Sequence, residues 1–311
     1  MTDSIVLQTF DLSKRYRDRW AVKDLNLVVR RGEVFGFLGP NGAGKSTTIR
    51  MILSLIAPTA GRVELFGEPL KARRRSVLAR IGGLVERPDF YLYLTARKNL
   101  EIIASLMGGV SSRAVDEALD IVGLAGRARD NVKAYSHGMK QRLGIAQALL
   151  GKPEFIILDE PSNGLDPQGI KEVRELIRRL SGEHGMTVFL SSHLLSEIEQ
   201  TATTMAIISG GELIVQGKVG DLLNSGDDMV RIDARPPDAA IPIIEQQSFV
   251  REVRRNGQYL DVKMPMENIG DINVALVKGG VVVRALIPRR SLEEYFLSIT
   301  EGASDVSHPR R

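Results

Sequence analysis

"GPNGAGKST", Gly39–Thr47, decides how this chain is read. It follows the apolar run "GEVFGFL" (Gly32–Leu38) and leads into a helical pattern from Lys45. The stretch fits G-x-x-x-x-G-K-[ST] placed between a strand and a helix, which is the context the motif requires. Gly39, Gly42 and Gly44 let the backbone curl so that successive N–H groups face phosphate oxygens, with Pro40, Asn41 and Ala43 completing the loop and Thr47 following it. Lys45 brings positive charge near β and γ phosphates, the Ser46 hydroxyl is placed for Mg²⁺, and the helix start adds its own attraction for anions. The whole stretch 39–47 is therefore expected to hold the phosphates of a nucleotide.

A phosphate loop indicates a nucleotide without specifying a reaction. "FIILDE" (Phe155–Glu160) supplies that part. Phe155–Leu158 reads as a buried strand whose end presents Asp159 and Glu160 beside the phosphates. Asp159 suits a Mg²⁺ role, directly or through water, and Glu160 suits general-base activation of water.

Composition limits the other classes. The 311 residues allow one large and one smaller domain, and 43% hydrophobic with 26% charged residues marks a globular chain. The absence of cysteine excludes disulfides, thiolate metal sites and cysteine nucleophiles. A net charge of +4, spread along the chain, does not indicate nucleic acid as a partner. "MTDSIVLQTFDLSKRY" lacks the features of a signal peptide, and no run approaches the roughly 20 apolar residues of a membrane span. Any membrane role is thus expected to depend on another chain.

Apolar strands such as "EFIILDEP" and "MTVFLSSH" alternate with helical patterns, which implies a largely parallel sheet flanked by helices, an α/β class. A helical insertion is expected over about 88–150. "NSGDD" (Asn224–Asp228) reads as a linker between residues 1–223 and a small α+β domain over 229–300. In that domain "MVRIDAR" reads as a strand and "DAAIPIIEQQ" as a short helix interrupted near Pro242. "FVREVRR" and "QYLDVKM" form a hairpin about Asn256-Gly257, followed by a helix over Glu267–Lys278 and the strand "VVVRALI". The β-α-β-β-α-β order suggests a ferredoxin-like split βαβ unit. A last helix is expected from Ser291, with Glu294 completing a capping box, and residues 301–311 are expected to be disordered.

Taken together, these motifs closely resemble the ATP-binding cassette (ABC) transporter ATPases, over Ile5 to about Leu223. The resemblance implies a P-loop ABC-ATPase fold with a helical subdomain and carries roles over residue by residue. Tyr16 in "SKRYRDRWAVKDLNL" matches the aromatic that stacks on adenine, while Trp20 is expected to pack structurally. Tyr135-Ser136-His137-Gly138-Met139 stands where the family carries L-S-G-G-Q. Ser136, His137 and Gly138 are thereby placed at a helix start that meets the ATP of the opposite subunit, with Asp166 of "SNGLDP" shaping the same interface. The alternative reading of Ser136–His137 as nucleophile and base fails, because adjacent residues rarely aim side chains at each other and no third orienting group is evident.

Glu86 in "IGGLVERPDFYLYL" aligns with the family's glutamine, which contacts Mg²⁺ and the attacking water. A carboxylate keeps the oxygens, adds charge and loses a donor. His193 in "FLSSHLLSEIE" matches the histidine that senses γ-phosphate. The resemblance therefore implies Glu160, His193 and Glu86 as catalytic residues and Ser46, Glu86 and Asp159 as Mg²⁺ residues. "DFYLYL" would dock a permease helix, with Phe90, Tyr91 and Tyr93 as core residues in the competing reading. The five basic residues of "KARRRSVLAR" (Lys71–Arg80) read as a solvated helix face, with attraction to anionic lipid as the lesser option. Glu86 and the altered signature look like the bacitracin-resistance and lantibiotic-immunity subgroup. The expected function is the ATPase subunit of an exporter, with a separate integral-membrane permease and a second cassette, which this chain itself could provide, at the cytoplasmic face of the membrane. The alternatives are a drug-sensing cassette and a non-transport soluble ABC ATPase.

Overall fold

A computed structural model describes residues 4–86, 88–224 and 229–289. Most of the expected linker, the helix expected from Ser291 and the expected tail 301–311 lie outside the described residues. The chain divides into two compact units at Val219–Gly220, inside the short helix Val219–Asn224.

The first unit holds two sheets. Its six-stranded sheet runs in the order Glu212–Lys218, Thr204–Ser209, Val34–Leu38, Thr187–Ser192, Phe155–Leu158, Ile81–Leu84. The last five strands are parallel, and Glu212–Lys218 joins antiparallel at one edge. Every residue of Val34–Leu38, Phe155–Leu158 and Thr187–Ser192 is buried, as continuous apolar runs require in a sheet covered on both faces. Phe35 stacks on Phe189 at 5.3 Å between ring centroids, and Phe37 tilts against the same ring at 5.4 Å. The helix Lys45–Ile52 and the five-stranded antiparallel sheet built around Ile5–Tyr16 share this core.

Three helices, Ala96–Met107, Ser111-capped Ser112–Ile121 and His137–Leu149, form the helical part. Thr95, Ser111 and Ser136 each accept a backbone N–H at the start of their helix, so the boundaries follow from capping chemistry. The α/β class with a P-loop cassette fold is what the sequence leads one to expect. Trp20 departs from expectation. It sits in the edge hairpin Ile5–Tyr16/Arg19–Leu25, 39% exposed, with the Arg15 guanidinium 5.5 Å from its ring centroid. An edge strand has no covering layer there, so the indole is covered by a cation instead of the core.

The second unit is a four-stranded antiparallel sheet in the order Glu252–Asn256, Tyr259–Lys263, Met229–Arg235, Val282–Arg289. Numbered along the chain, that order is second, third, first, fourth, the arrangement of a ferredoxin-like unit. Val230, Ile232, Leu260 and Val262 point to one face and pack with Ala240, Ile244, Ile272 and Leu276 of two helices. Two local expectations shift. The helix Pro237–Glu245 runs through Pro242 without interruption. The proline removes one N–H late in a short helix, and the packing of Ala240 and Ile244 outweighs that loss. The hairpin loop is Gly257-Gln258, with Asn256 paired to Tyr259 as the last strand residue. Gly257 takes φ +62° at the first central position, where a type II′ turn places glycine.

Candidate active site

The parallel strands bring the site together. Strands Val34–Leu38, Phe155–Leu158, Thr187–Ser192 and Ile81–Leu84 all run the same way. Their C-terminal ends lie along one edge of the sheet, where ligand-binding loops of open α/β sheets gather. The phosphate loop, the Asp159-Glu160 pair, His193 and Glu86 each follow one of these ends.

Gly39 N donates to Ser192 O at 3.2 Å and fastens the loop to the neighbouring strand. Gly44 adopts φ +108°, and a Cβ there would stand 2.5 Å from Ala21 O, so only glycine fits as the backbone enters the helix. No side chain caps the helix Lys45–Ile52, whose leading N–H groups are thereby available to an anion. Lys45 is buried, 5% exposed. Its Nζ donates to Gly39 O at 2.7 Å and Pro40 O at 3.3 Å, and pairs with Glu160 Oε1 at 3.2 Å. Three donors thus meet three acceptors.

Glu160 lies in the left-handed region at φ +46°, uncommon for a residue with a side chain. Its backbone N–H donates to Ser191 Oγ at 2.8 Å, and that hydroxyl donates to Asp159 Oδ1 at 2.5 Å. One buried serine therefore fixes both acidic residues. Glu160 Oε2 lies 3.1 Å from His193 Nδ1 and accepts from Asn163 Nδ2 at 3.2 Å. Lys45, Glu160 and His193 form one continuous polar chain at the sheet edge. Such a group can hold an anionic phosphate through the ammonium and take a proton from water through the carboxylate. Asp159 is buried, and with Oδ1 engaged by Ser191 its Oδ2 remains as an acceptor for a cation. Among the described residues no cluster of three or more His, Cys, Asp or Glu could hold a metal ion. A Mg²⁺ at Ser46 and Asp159 fits only if phosphate and water oxygens complete its shell.

Other candidates are placed elsewhere. Glu86, at φ +67°, pairs its carboxylate with Arg50 on the phosphate-loop helix. Tyr16 ends its strand 48% exposed, with Lys14 Nζ 5.2 Å from its ring centroid. Ser136 Oγ caps the helix His137–Leu149 by accepting Met139 N–H at 3.2 Å, and Asp166 Oδ1 caps Pro167–Gly182 by accepting Gly169 N–H at 3.0 Å. His137 Nδ1 lies 3.0 Å from Gly164 O of "SNGLDP". Tyr135, just before the cap, is buried and donates its hydroxyl to Arg127 O at 2.8 Å. Burial first, and the Asp130 carboxylate second, push its phenol above the usual value, which keeps it a donor. Tyr91 and Tyr93 are exposed at 66% and 76%, which removes them from the core reading. Lys71 and Arg73–Arg75 are exposed on the helix Leu70–Leu78. Ser191, Asn163 and Arg50 escaped the sequence reading. Two serines ending an otherwise apolar strand, directly before His193, are the one signal that pointed to Ser191.

A phosphate loop, an acidic strand end and His193 beside it on a parallel sheet define a P-loop nucleotide-binding protein. Residues 22–163 match the family model described as ABC transporter. Over 304 residues the chain is 43% identical to the bacitracin transport ATP-binding protein BcrA of Bacillus licheniformis, covering 97% of this chain and 99% of that one. It is 39% identical over 211 residues to the lantibiotic transport ATP-binding protein SrtF of Streptococcus pyogenes, covering 68% and 90% respectively. The chain belongs to the ATP-binding subunits of ABC transporters. A solved structure of an ATP-binding subunit of an ABC transporter superposes with a TM-score of 0.61 at 31% identity, covering 70% of this chain and 92% of that one. A dimeric ATP-binding cassette in a post-hydrolysis state, bound to ADP and Pi, superposes with a TM-score of 0.61 at 25% identity, covering 68% and 98%.

Proposed function

We propose that this chain hydrolyses ATP to drive export of a peptide antibiotic through a separately encoded membrane permease. The observation that carries the reading is the Lys45–Glu160–His193 chain at the end of the phosphate loop. Lys45 holds the phosphates. Glu160 Oε2 takes the proton of the attacking water, and His193 holds that carboxylate while Asn163 fixes its second direction. The water oxygen bonds to the γ-phosphorus as the bond to the bridging oxygen breaks, leaving ADP and inorganic phosphate. Mg²⁺ bound at Ser46 and Asp159 would neutralise charge on the β and γ phosphates. Tyr16 would stack on the adenine, and Glu86 would leave Arg50 to reach the metal side of the site.

Two cassettes would enclose the nucleotides, each presenting Ser136, Gly138 and Asp166 to its partner's ATP. The solved dimeric cassette supports this arrangement, and the exposed Tyr91–Tyr93 face supports permease docking. Among the described residues no helix is long and apolar enough to cross a membrane, so the permease would supply the span at the cytoplasmic face. The bacitracin and lantibiotic relatives support the substrate class. The test is reconstitution of the chain with the permease encoded beside it, in vesicles, with ATP and bacitracin or a lantibiotic. ATP-dependent movement of the peptide supports the reading, and ATPase activity without movement removes it.

A further inference from the structure

His137 stands where the family has glycine, and the structure gives it a partner. It is the first residue of the helix His137–Leu149, and its Nδ1 lies 3.0 Å from Gly164 O. Gly164 sits at φ +73° in the turn that leads into the helix Pro167–Gly182. A carbonyl oxygen only accepts, so in this contact Nδ1 carries a proton and donates it. Glycine at 137 would offer no donor. The contact is the first of three along the same pair of helices. One residue on, a Cβ at Gly138 would lie 3.7 Å from Gly169 Cα, so the two first turns approach to van der Waals distance. A turn further, Arg142 Nη2 pairs with Glu172 Oε2 at 3.2 Å. The Arg142–Glu172 pair joins the helix bodies, the Gly138–Gly169 approach joins the first turns, and the His137 contact reaches the 162–166 loop. The turns that expose Ser136 and Asp166 are thus tied by an imidazole hydrogen bond beside a van der Waals approach.

We propose that His137 is a positioning residue that straps the Ser136 helix start to the 162–166 loop, so that both present themselves as one rigid edge to the nucleotide of a second copy. The strap itself is a property of the single chain. Its effect on turnover rests on the cassette-dimer reading above.

Side-chain geometry supplies the test. The Nδ2 of asparagine coincides with histidine Nδ1, whereas the Nε2 of glutamine coincides with histidine Nε2. His137→Asn keeps the donor where Gly164 O needs it, and His137→Gln and His137→Gly do not. Amide hydrogen exchange of the full chain reads the strap directly at Asn163 N–H, bonded to Glu160 O, and Leu165 N–H, bonded to Ser162 O. The Gly and Gln variants are expected to exchange about two- to ten-fold faster there, the effect of one lost hydrogen bond, and Asn to restore the parent rate. The kcat for ATP should fall in parallel by about the same factor with KM little changed, again with rescue by Asn. Glutamine serves where the glycine variant fails to fold. Loop exchange unchanged in Gly and Gln, or Asn no better than Gly, overturns the proposal. Light scattering of Glu160→Gln with MgATP reports the dimer separately. A chain that stays monomeric there removes the dimer reading, while the exchange measurement still decides the strap.

Discussion

Two of the three sheets described use charge in opposite ways. Along the parallel sheet, Asp159 and Glu160 stand at a strand end and Lys45 opens the helix after a neighbouring strand, and Lys45 and Glu160 pair directly. In the antiparallel sheet of the C-terminal unit, Arg231 and Asp261 face each other across paired strands. They form two bonds of 2.7 Å, with 16% and 11% of their side chains exposed. The first arrangement gathers acceptors and a buried ammonium at the ends of parallel strands, and the second pairs opposite charges side by side within the sheet. Topology explains the difference. Parallel strands send all their outgoing loops to one edge, and antiparallel strands divide theirs between two.

The sharpest way to break the comparison is Glu160→Gln, which is expected to lower kcat by about a hundredfold or more with ATP still bound, as measured by turnover and equilibrium nucleotide binding. Normal hydrolysis would take the general base away from Glu160. Next comes the support beneath that edge. Phe189→Ala removes the ring that both Phe35 and Phe37 contact and should cost about 3–5 kcal/mol in denaturant unfolding. Asp261→Ala leaves Arg231 without its bidentate partner and should cost the C-terminal unit about 2–4 kcal/mol by calorimetry. If ATP turnover follows that loss, the contrast between an active and a self-contained sheet fails.

Glu154 tests the first unit by pH. Its carboxylate is held below the ordinary value chiefly by the hydrogen bond from Arg80; burial opposes this, and the hydrogen bond from Arg31 adds to it. A lowered folded value means the stabilisation is present above the ordinary carboxylate range and is lost as pH falls through the folded value. Melting temperature should therefore drop more steeply with acid in the parent than in Glu154→Gln. Equal slopes would show that the pair contributes nothing. The smallest effect is expected from Glu86→Gln, with turnover within about threefold of the parent, under about 1 kcal/mol of barrier. A dead enzyme that still binds nucleotide would make the carboxylate obligatory.

Much of this was legible because it depends on local spacing. The phosphate loop, the acidic pair and the helix start at Ser136 follow from residue type and position. The strand order of the C-terminal sheet also follows from its pattern of elements. Contacts between distant segments were not legible. Arg50 meets Glu86 across 36 residues, and His137 meets Gly164 across 27. That Trp20 packs under a cation on an edge strand was not legible, because hydrophobicity does not reveal which strand lies on an edge, and the helix through Pro242 was missed because tertiary packing overrides a local breaker.

Ser191 has a consequence for inheritance. Its hydroxyl is bonded to both acidic residues, and it is fully buried. A substitution that removes the hydroxyl cannot be neutral for one partner and harmful for the other. The long apolar strand around it can drift among Val, Ile and Leu, while this position must keep an oxygen that both gives and receives. In a population of variants of this chain, position 191 would vary as little as the acids it serves.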